Sequence, residues 1–185
     1  GIIRTVLEYG LKININALID KTLELLPIKR DCADEIREFI IQRLIIFLND
    51  SYGKTVLEAC AANALSNLND YIERVKVVST LDNAELLESA NRVLRITKDV
   101  AGGAVNPALF KEGAEKMLWE QIQKIDSKVS YSTYLAELIA INPYVVKFFE
   151  DVLVMDKDEN VKNNRLALLA SLKDKYNHLT DFSKL

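Results

Sequence analysis

The chain has 185 residues, of which 49% are hydrophobic and 28% are charged, and its formal net charge is −3. This apolar content with so small a net charge excludes intrinsic disorder and is enough for one larger domain or two small ones. The slightly acidic balance also excludes a strongly basic nucleic-acid-binding domain, so any RNA contact has to come from a local basic patch.

Apolar residues recur at intervals of three and four along the whole chain, which is the period of an amphipathic α-helix. Only six glycines and three prolines occur, and the hairpin-forming pairs Asn-Gly and Asp-Gly are absent. Both observations favour an all-α fold, and we predict a bundle of about eight helices. Representative positions of the successive apolar stripes are Phe39, Leu44, Leu57, Leu65, Leu86, Val93, Leu118, Ile122, Leu135, Leu138, Leu168 and Leu172.

In the first part of the chain, Pro27 is expected to end an early helix, and Asp31 is expected to cap the helix that carries Phe39. Residues 53–55, Gly-Lys-Thr, resemble the end of a phosphate-binding loop. That loop requires a further glycine five positions earlier and a preceding strand, but Leu48 of an apolar helix stands there. We therefore interpret the motif as a turn between two helices, with Thr55 as a cap.

Later helix starts are predicted from the same capping rules. Ser130 caps one helix, and Asn142 followed by Pro143 has the pattern of an N-cap with proline at the first helical position. Asp156 or Asp158 caps the last helix. The chain is predicted to form two helical groups, residues 1–80 and residues 81–185, and the second group contains a glycine-rich loop at 101–107.

Cysteine and histidine are too scarce for common catalytic and metal centres. Cys32, Cys60 and the single His178 cannot supply the four ligands of a zinc site unless carboxylates provide most of them. A serine or cysteine nucleophile needs a nearby base, most often histidine. We expect no catalytic centre, no metal and no cofactor in this chain, and we expect both cysteines to be buried apolar residues of a cytoplasmic protein.

No membrane contact is expected, because the longest dense apolar run, residues 44–48, is far shorter than the roughly 20 residues that cross a bilayer. The first residues, Gly-Ile-Ile-Arg-Thr, include neither an initiating methionine nor the features of a signal peptide. We interpret the chain as a fragment of a longer protein.

One polar cluster on a predicted helix is a candidate binding surface: Asn91, Arg92, Arg95 and Lys98. A helical wheel places the two arginines opposite the apolar stripe, with the other two residues at the flanks. Arginine forks match phosphate oxygens and guanine edges, and asparagine can bind a base edge. The alternative is an ordinary solvated face, since Glu88 lies four residues before Arg92, which is the favourable order for an ion pair.

A second basic region lies between residues 162 and 184, where five basic side chains stand against two acidic ones. The basic residues are Lys162, Arg165, Lys173, Lys175 and Lys184. Such a group can neutralise several phosphates and give salt-sensitive affinity for RNA. The alternative is that these lysines partly complement the negative end of the helix dipole.

Several segments resemble one known family. Residues 151–156, Asp-Val-Leu-Val-Met-Asp, together with residues 164–169, Asn-Arg-Leu-Ala-Leu-Leu, resemble the signature of DALR-type anticodon-binding domains. Four further segments are similar, in order, to landmarks of the β subunit of bacterial tetrameric glycyl-tRNA synthetase. These are residues 1–4, 91–95, 105–110 and 181–185. The chain therefore resembles the C-terminal region of that subunit along its whole length.

The resemblance implies a role in tRNA binding. In that family the α subunit catalyses ATP-dependent ligation of glycine to tRNA-Gly, and the β subunit recognises the tRNA through its C-terminal helices. Residues 81–185 are then expected to form a DALR-like anticodon-binding domain that performs no chemistry itself. The implied partners are tRNA-Gly, the α subunit and the rest of β, and ATP is used only by the holoenzyme.

The resemblance makes part of the basic surface a set of candidate RNA contacts. The candidates are Asn91, Arg92, Arg95, Lys98, Lys162 and Arg165. Arg165 matches the Asn-Arg-Leu motif of the family, and a buried or capping role is an equal alternative for it.

Two other functions stay open: a helical protein-interaction module that contacts only neighbouring subunits, and the equivalent DALR-type domain of arginyl-tRNA synthetase. The ending at 181–185 favours the glycyl enzyme. Neutralisation of the basic face by Glu88, Glu159 and other acids would favour the interaction module.

Overall fold

The structure is a computed structural model that describes residues 1–27 and 31–185. The described residues form nine α-helices and no strand. The predicted all-α class is therefore confirmed, with one helix more than the eight or so expected. Two compact units are present, residues 1–80 and residues 81–183. Across the described ranges, no helix is both long enough and apolar enough to span a membrane.

The described residues of the first unit form five α-helices. They are α1 (Ile2–Glu8), α2 (Ile15–Leu25), α3 (Ala33–Tyr52), α4 (Lys54–Ala59) and α5 (Leu68–Val78). Pro27 follows the end of α2 by two residues, as predicted. The core of this unit centres on α5, where Tyr71 is fully buried and its hydroxyl donates to the Leu57 carbonyl oxygen at 3.1 Å. The long helix α3, by contrast, buries only Leu44 and Leu48.

Two capping predictions for the first unit are wrong. The N-cap of α3 is Cys32 instead of Asp31, and no side chain completes the cap. Acidic residues in the first turn of α3 complement the helix dipole instead. Thr55 lies inside α4, and the turn that precedes it is made by Gly53, whose φ of 75° lies in the left-handed region that favours glycine. The Gly-Lys-Thr motif is thus a helix–helix turn.

The second unit contains four helices. They are α6 (Ala84–Ile96), α7 (Gly113–Ile122), α8 (Tyr131–Asp151) and α9 (Glu159–Leu179). Helix α9 packs against the other three, and α8 also packs against α6 and α7. Ten of the residues of α9 are buried, among them Leu168, Leu172 and Tyr176. The loop between α6 and α7 contains a short 3-10 helix, Pro107–Leu109, and packs on α9.

Two of the predicted caps in the second unit are confirmed. The Ser130 hydroxyl accepts a hydrogen bond from the backbone N–H of Thr133 at the start of α8, at 3.2 Å. The Asp158 carboxylate accepts one from the backbone N–H of Asn160 at the start of α9, at 3.0 Å. Short polar side chains at these positions satisfy backbone donors that have no partner within the helix.

The helix start predicted at Asn142 and Pro143 is wrong, because α8 runs through both residues without a break. Proline at this position removes the hydrogen bond to the carbonyl of Ile139, and Ile139 is 38% exposed. The buried stripe of α8 continues on both sides of the proline. Its members are Leu135, Leu138, Ile141, Val145 and Phe148. Packing of this stripe outweighs the local preference for a helix start.

Candidate nucleic-acid interface

Asn91 and Arg95 are exposed on α6, and Lys98 is exposed in the turn that begins where α6 ends. We call these three residues the α6 basic face. The spacing of four residues places Asn91 and Arg95 one above the other on neighbouring turns of the helix, and Lys98 follows its last residue by two positions. Asn91 donates a hydrogen bond through Nδ2 to the carbonyl of Leu87 at 3.0 Å. Among the described residues, Arg95 and Lys98 make neither an ion pair nor a hydrogen bond. Their positive charges are therefore available to a ligand.

Helix α6 orients this face by burying the opposite one. Its N-cap, Asn83, accepts a hydrogen bond from the backbone N–H of Leu86 at 2.9 Å, which fixes where the helix begins. Leu86, Ala90 and Val93 are fully buried. Because this apolar stripe holds the helix in a fixed rotation, the basic face has to point away from the core.

Arg92 does not join the α6 basic face. Its guanidinium lies over the ring of Phe149 on α8, with 4.0 Å between the guanidinium carbon and the ring centroid. The predicted ion pair with Glu88 is not formed within the described part of the chain. Arg92 instead lines a cleft that Glu85, Glu88 and Glu150 also line. Three nearby carboxylates make this position a poor one for an RNA phosphate.

Neither Lys162 nor Arg165 forms part of an open basic surface. Lys162 pairs with Glu159, with 2.7 Å between Nζ and Oε1, and its side chain is 26% exposed. Arg165 is only 3% exposed and donates through Nε to Glu115 at 2.9 Å and through Nη1 to Asp156 at 2.8 Å. Of the two roles considered for Arg165, RNA contact and a buried structural role, the structure therefore shows the buried one. Arg165 is not accessible to RNA.

Two further lysines of the region 162–184 are also bound within the unit. Lys173 donates through Nζ to the carbonyl of Thr97, the C-cap of α6, at 2.9 Å. Lys175 donates through Nζ to the carbonyl of Ile125 at 3.1 Å. A lysine at the carboxyl end of a helix satisfies free carbonyls and complements the helix dipole. These contacts give Lys173 and Lys175 structural roles within the second unit.

Glu115 is the buried centre of the Arg165 network, and the sequence patterns did not single it out. Its side chain is fully buried, and Oε2 accepts from the backbone N–H groups of Lys111 and Glu112 at 2.8 and 2.7 Å. The pair Glu112 and Glu115 forms a capping box at the start of α7. A Glu-x-x-Glu spacing ahead of an apolar run is the local signal that could have indicated this helix start.

The same network predicts a loss of stability in acid. Burial alone would raise the pKa of Glu115, but hydrogen bonds from Arg165 and from two backbone N–H groups outweigh it and hold the pKa below its ordinary value. A backbone hydrogen bond from Asp158, together with Lys111 and Arg165, also lowers the pKa of Asp156. Carboxylates with depressed pKa values stabilise the fold above their unfolded pKa values, and this contribution is lost as the pH falls.

We expect the free energy of unfolding to be nearly constant from pH 7 to pH 5 and to decrease below about pH 4.3, the ordinary pKa of glutamate. Urea titrations followed by circular dichroism between pH 3 and pH 7 measure this directly. The variant Glu115→Gln removes one of the titrating groups, so its stability should change less with pH than that of the wild type. Equal slopes for the two proteins would contradict the assignment to Glu115.

No family model matches the chain. It is similar to curated proteins named "Glycine--tRNA ligase beta subunit" from several bacteria. The identity is 32% with that of Trichlorobacter lovleyi, 33% with that of Desulfatibacillum aliphaticivorans and 34% with that of Shewanella amazonensis. Each alignment covers 100% of this chain and 29% or 30% of the relative.

The chain thus spans about three tenths of the length of the curated relatives that it matches. The similarity includes both compact units, because no part of the chain is left out of the alignments. The resemblance to the glycyl-tRNA synthetase β subunit is confirmed: along its entire length this chain is similar to proteins named glycine–tRNA ligase beta subunit.

Proposed function

We propose that this chain is the tRNA-recognition part of a glycyl-tRNA synthetase β subunit, and that residues 81–185 are a DALR-like domain that binds the anticodon arm of tRNA-Gly. The α subunit catalyses the ATP-dependent ligation of glycine, and this chain supports that reaction in the cytoplasm without a catalytic centre of its own. The observation that carries the proposal is the similarity to glycine–tRNA ligase beta subunits over the whole chain.

The α6 basic face supports the proposal physically. Arg95 and Lys98 are exposed cations whose charge no described residue neutralises. An arginine fork can bind phosphate oxygens in a bidentate way, and lysine adds a point charge beside it. With two free cations in a chain of net charge −3, binding should be modest and strongly dependent on salt.

The charge-reversal variant Arg95→Glu/Lys98→Glu tests the proposal. We expect it to weaken the affinity for a tRNA-Gly transcript at least about tenfold, because two phosphate contacts become repulsive. The slope of log Kd against log salt concentration should also decrease, by about 0.7–0.9 for each lost phosphate contact. Filter binding at several salt concentrations measures both quantities. Both residues are exposed, so the circular dichroism spectrum should not change, and the melting temperature should fall only slightly, because Arg95 lies in the last turn of α6 where a negative charge is unfavourable.

Arg92→Gln is the matched control, since this arginine lies on the same helix but shares its cleft with three carboxylates. Its effect on tRNA affinity should be clearly smaller than that of the double variant. Unchanged affinity in Arg95→Glu/Lys98→Glu would remove the α6 basic face from the interface. Equal binding of a transcript with an altered anticodon would contradict recognition of the anticodon arm.

The second candidate is a helical protein-interaction module that assembles subunits without touching RNA. It is favoured by the neutralisation of two predicted contacts, Arg92 among carboxylates and Lys162 by Glu159. Exposed apolar side chains of α3, including Phe39, Ile46 and Phe47, also fit a protein partner. The same titrations decide between the two candidates, because wild-type protein that fails to bind tRNA-Gly at low salt would favour this module.

A further inference from the structure

A cleft of about 370 Å³ lies in the second unit between the loop that follows α6 and the first two turns of α9. The loop is fixed on α9 by a reciprocal pair of hydrogen bonds. The backbone N–H of Asn106 donates to Oδ1 of Asn164 at 2.7 Å, and Nδ2 of Asn164 donates to the carbonyl of Asn106 at 3.1 Å. These two bonds hold the loop against α9, so the loop and the helix together form the walls of the cleft.

The polar groups that line this cleft are amides. Asn106, Asn160 and Asn163 line it together with Asn164, and no charged side chain does so within the described residues. Asn160 and Asn163 are exposed, and neither side chain has a hydrogen-bond partner in the described part of the chain. Each amide offers two donors and an acceptor oxygen. The cleft therefore presents unused donors and acceptors without charge.

The rest of the lining is apolar and includes Leu109, Leu166 and Ala167. A carboxylate, phosphate or ammonium group would lose hydration here without meeting an opposite charge. A flat, neutral ring with donors and acceptors on its edge matches both parts of the lining. Nucleobases have this chemistry, and proteins bind unpaired RNA bases by stacking or apolar contact combined with hydrogen bonds to the base edge.

The cleft is next to the α6 basic face along the chain. Lys98 precedes Val100, a lining residue, by two positions. Consecutive Cα atoms are about 3.8 Å apart, so these two Cα atoms lie within about 7.6 Å of each other. An RNA strand whose phosphates contact Lys98 can therefore place a base in the cleft. The volume also falls within the range of about 300–1,000 Å³ that is typical of ligand pockets.

We propose that this amide cleft binds one unstacked nucleobase of the RNA whose backbone contacts the α6 basic face. The proposal rests on the proposed RNA-binding function and adds to it a base-recognition site. The amides of Asn160 and Asn163 bind the edge of the base, and the apolar lining receives its face. Asparagine can form two hydrogen bonds with an adenine edge, and the cleft discriminates among bases through such contacts.

The test is the double variant Asn160→Ala/Asn163→Ala in the full-length protein that carries this chain, with a tRNA-Gly transcript as the probe. We expect at least a tenfold loss of affinity. The salt dependence should stay that of the wild type, because a contact with a base releases no counterions. Asn177→Ala is the matched control, an exposed asparagine near the other end of α9, and its affinity should be unchanged.

Chemical probing of the bound transcript gives a second readout. At saturating concentrations, the wild type should protect the edge of one unpaired base that the double variant leaves reactive. Unchanged affinity in the double variant, or the same protected bases with both proteins, would overturn the cleft proposal alone. Absence of any binding by the wild type would instead overturn the proposed RNA function, and the cleft proposal with it.

Discussion

Replacement of Arg165 by methionine is expected to lower the free energy of unfolding by about 3–5 kcal/mol, the cost of breaking a buried ion pair. Arg165 is 3% exposed, and its partner Glu115 is fully buried. Removing the guanidinium leaves a carboxylate inside the protein with only two backbone N–H groups to stabilise it. It also removes the hydrogen bond that Nη1 donates to the Leu153 carbonyl, and this bond links α9 to the segment that precedes it.

Urea unfolding at pH 7, followed by far-ultraviolet circular dichroism, measures the effect. Arg95→Met serves as the control, because Arg95 is exposed and makes no bond within the described residues. Its stability should stay within about 0.5 kcal/mol of the wild type.

The double variant Arg165→Met/Glu115→Gln distinguishes an uncompensated charge from lost packing. Glutamine keeps an acceptor oxygen for the backbone N–H groups of Lys111 and Glu112 but carries no charge. We therefore expect the double variant to be more stable than Arg165→Met alone, despite having two substitutions. Additive losses would show that the charge left on Glu115 is not the cause.

Helical periodicity was sufficient to predict the fold class, because each apolar stripe has to be buried whatever its partner is. The stripe of α6 illustrates this, since Leu86, Ala90 and Val93 are all fully buried. Periodicity does not predict which partner a buried polar residue will bind. Arg165 meets Glu115 across 50 residues of sequence, and no local spacing encodes such a contact.

Arg92 shows the same limit on the candidate surface. A helical wheel gives the direction in which a side chain leaves the helix axis, but it does not show which neighbouring helix lies there. Phe149 of α8 stands beside Arg92 and draws the guanidinium onto its ring. Arg95 is one turn further along, and among the described residues it makes no such contact with a ring. Two arginines with similar sequence surroundings thus acquire different roles through tertiary packing.

The amide cleft was not predicted for a related reason. Asn106, Asn160 and Asn163 are individually ordinary residues, and Asn106 is an N-cap, which is a common position for asparagine. Only the folding of the α6–α7 loop onto α9 brings their side chains around one cavity. The glycine-rich composition of residues 101–107 indicated a loop, but it carried no information about where the loop would pack.

Tyr176 lies in the interior of the second unit, and its two simplest substitutions are expected to have very different effects. The residue is fully buried on α9, and its ring is 5.2 Å from that of Phe182, centroid to centroid. Within the described residues, the hydroxyl oxygen has no hydrogen-bond partner. Burial raises the pKa of this hydroxyl, so it stays protonated at neutral pH. A buried hydroxyl without a partner costs about 1–3 kcal/mol.

Tyr176→Phe removes that cost and keeps the ring, so the free energy of unfolding should stay the same or rise by about 1 kcal/mol. Tyr176→Ala removes the ring and should lower it by about 3–5 kcal/mol, as truncations of large core residues do. Both values come from urea unfolding under the conditions used for Arg165.

Tyr134→Phe is the matched comparison, because the Tyr134 hydroxyl donates to the carbonyl of Lys175 at 2.9 Å. Loss of this bond should cost about 0.5–1.5 kcal/mol. Each Tyr→Phe variant deletes one hydroxyl oxygen from a buried ring, and both hydroxyls lie at α9. The difference between the two changes in unfolding free energy therefore measures the contribution of the Tyr134 hydrogen bond. A loss in Tyr176→Phe as large as that in Tyr134→Phe would mean that the Tyr176 hydroxyl makes a stabilising contact.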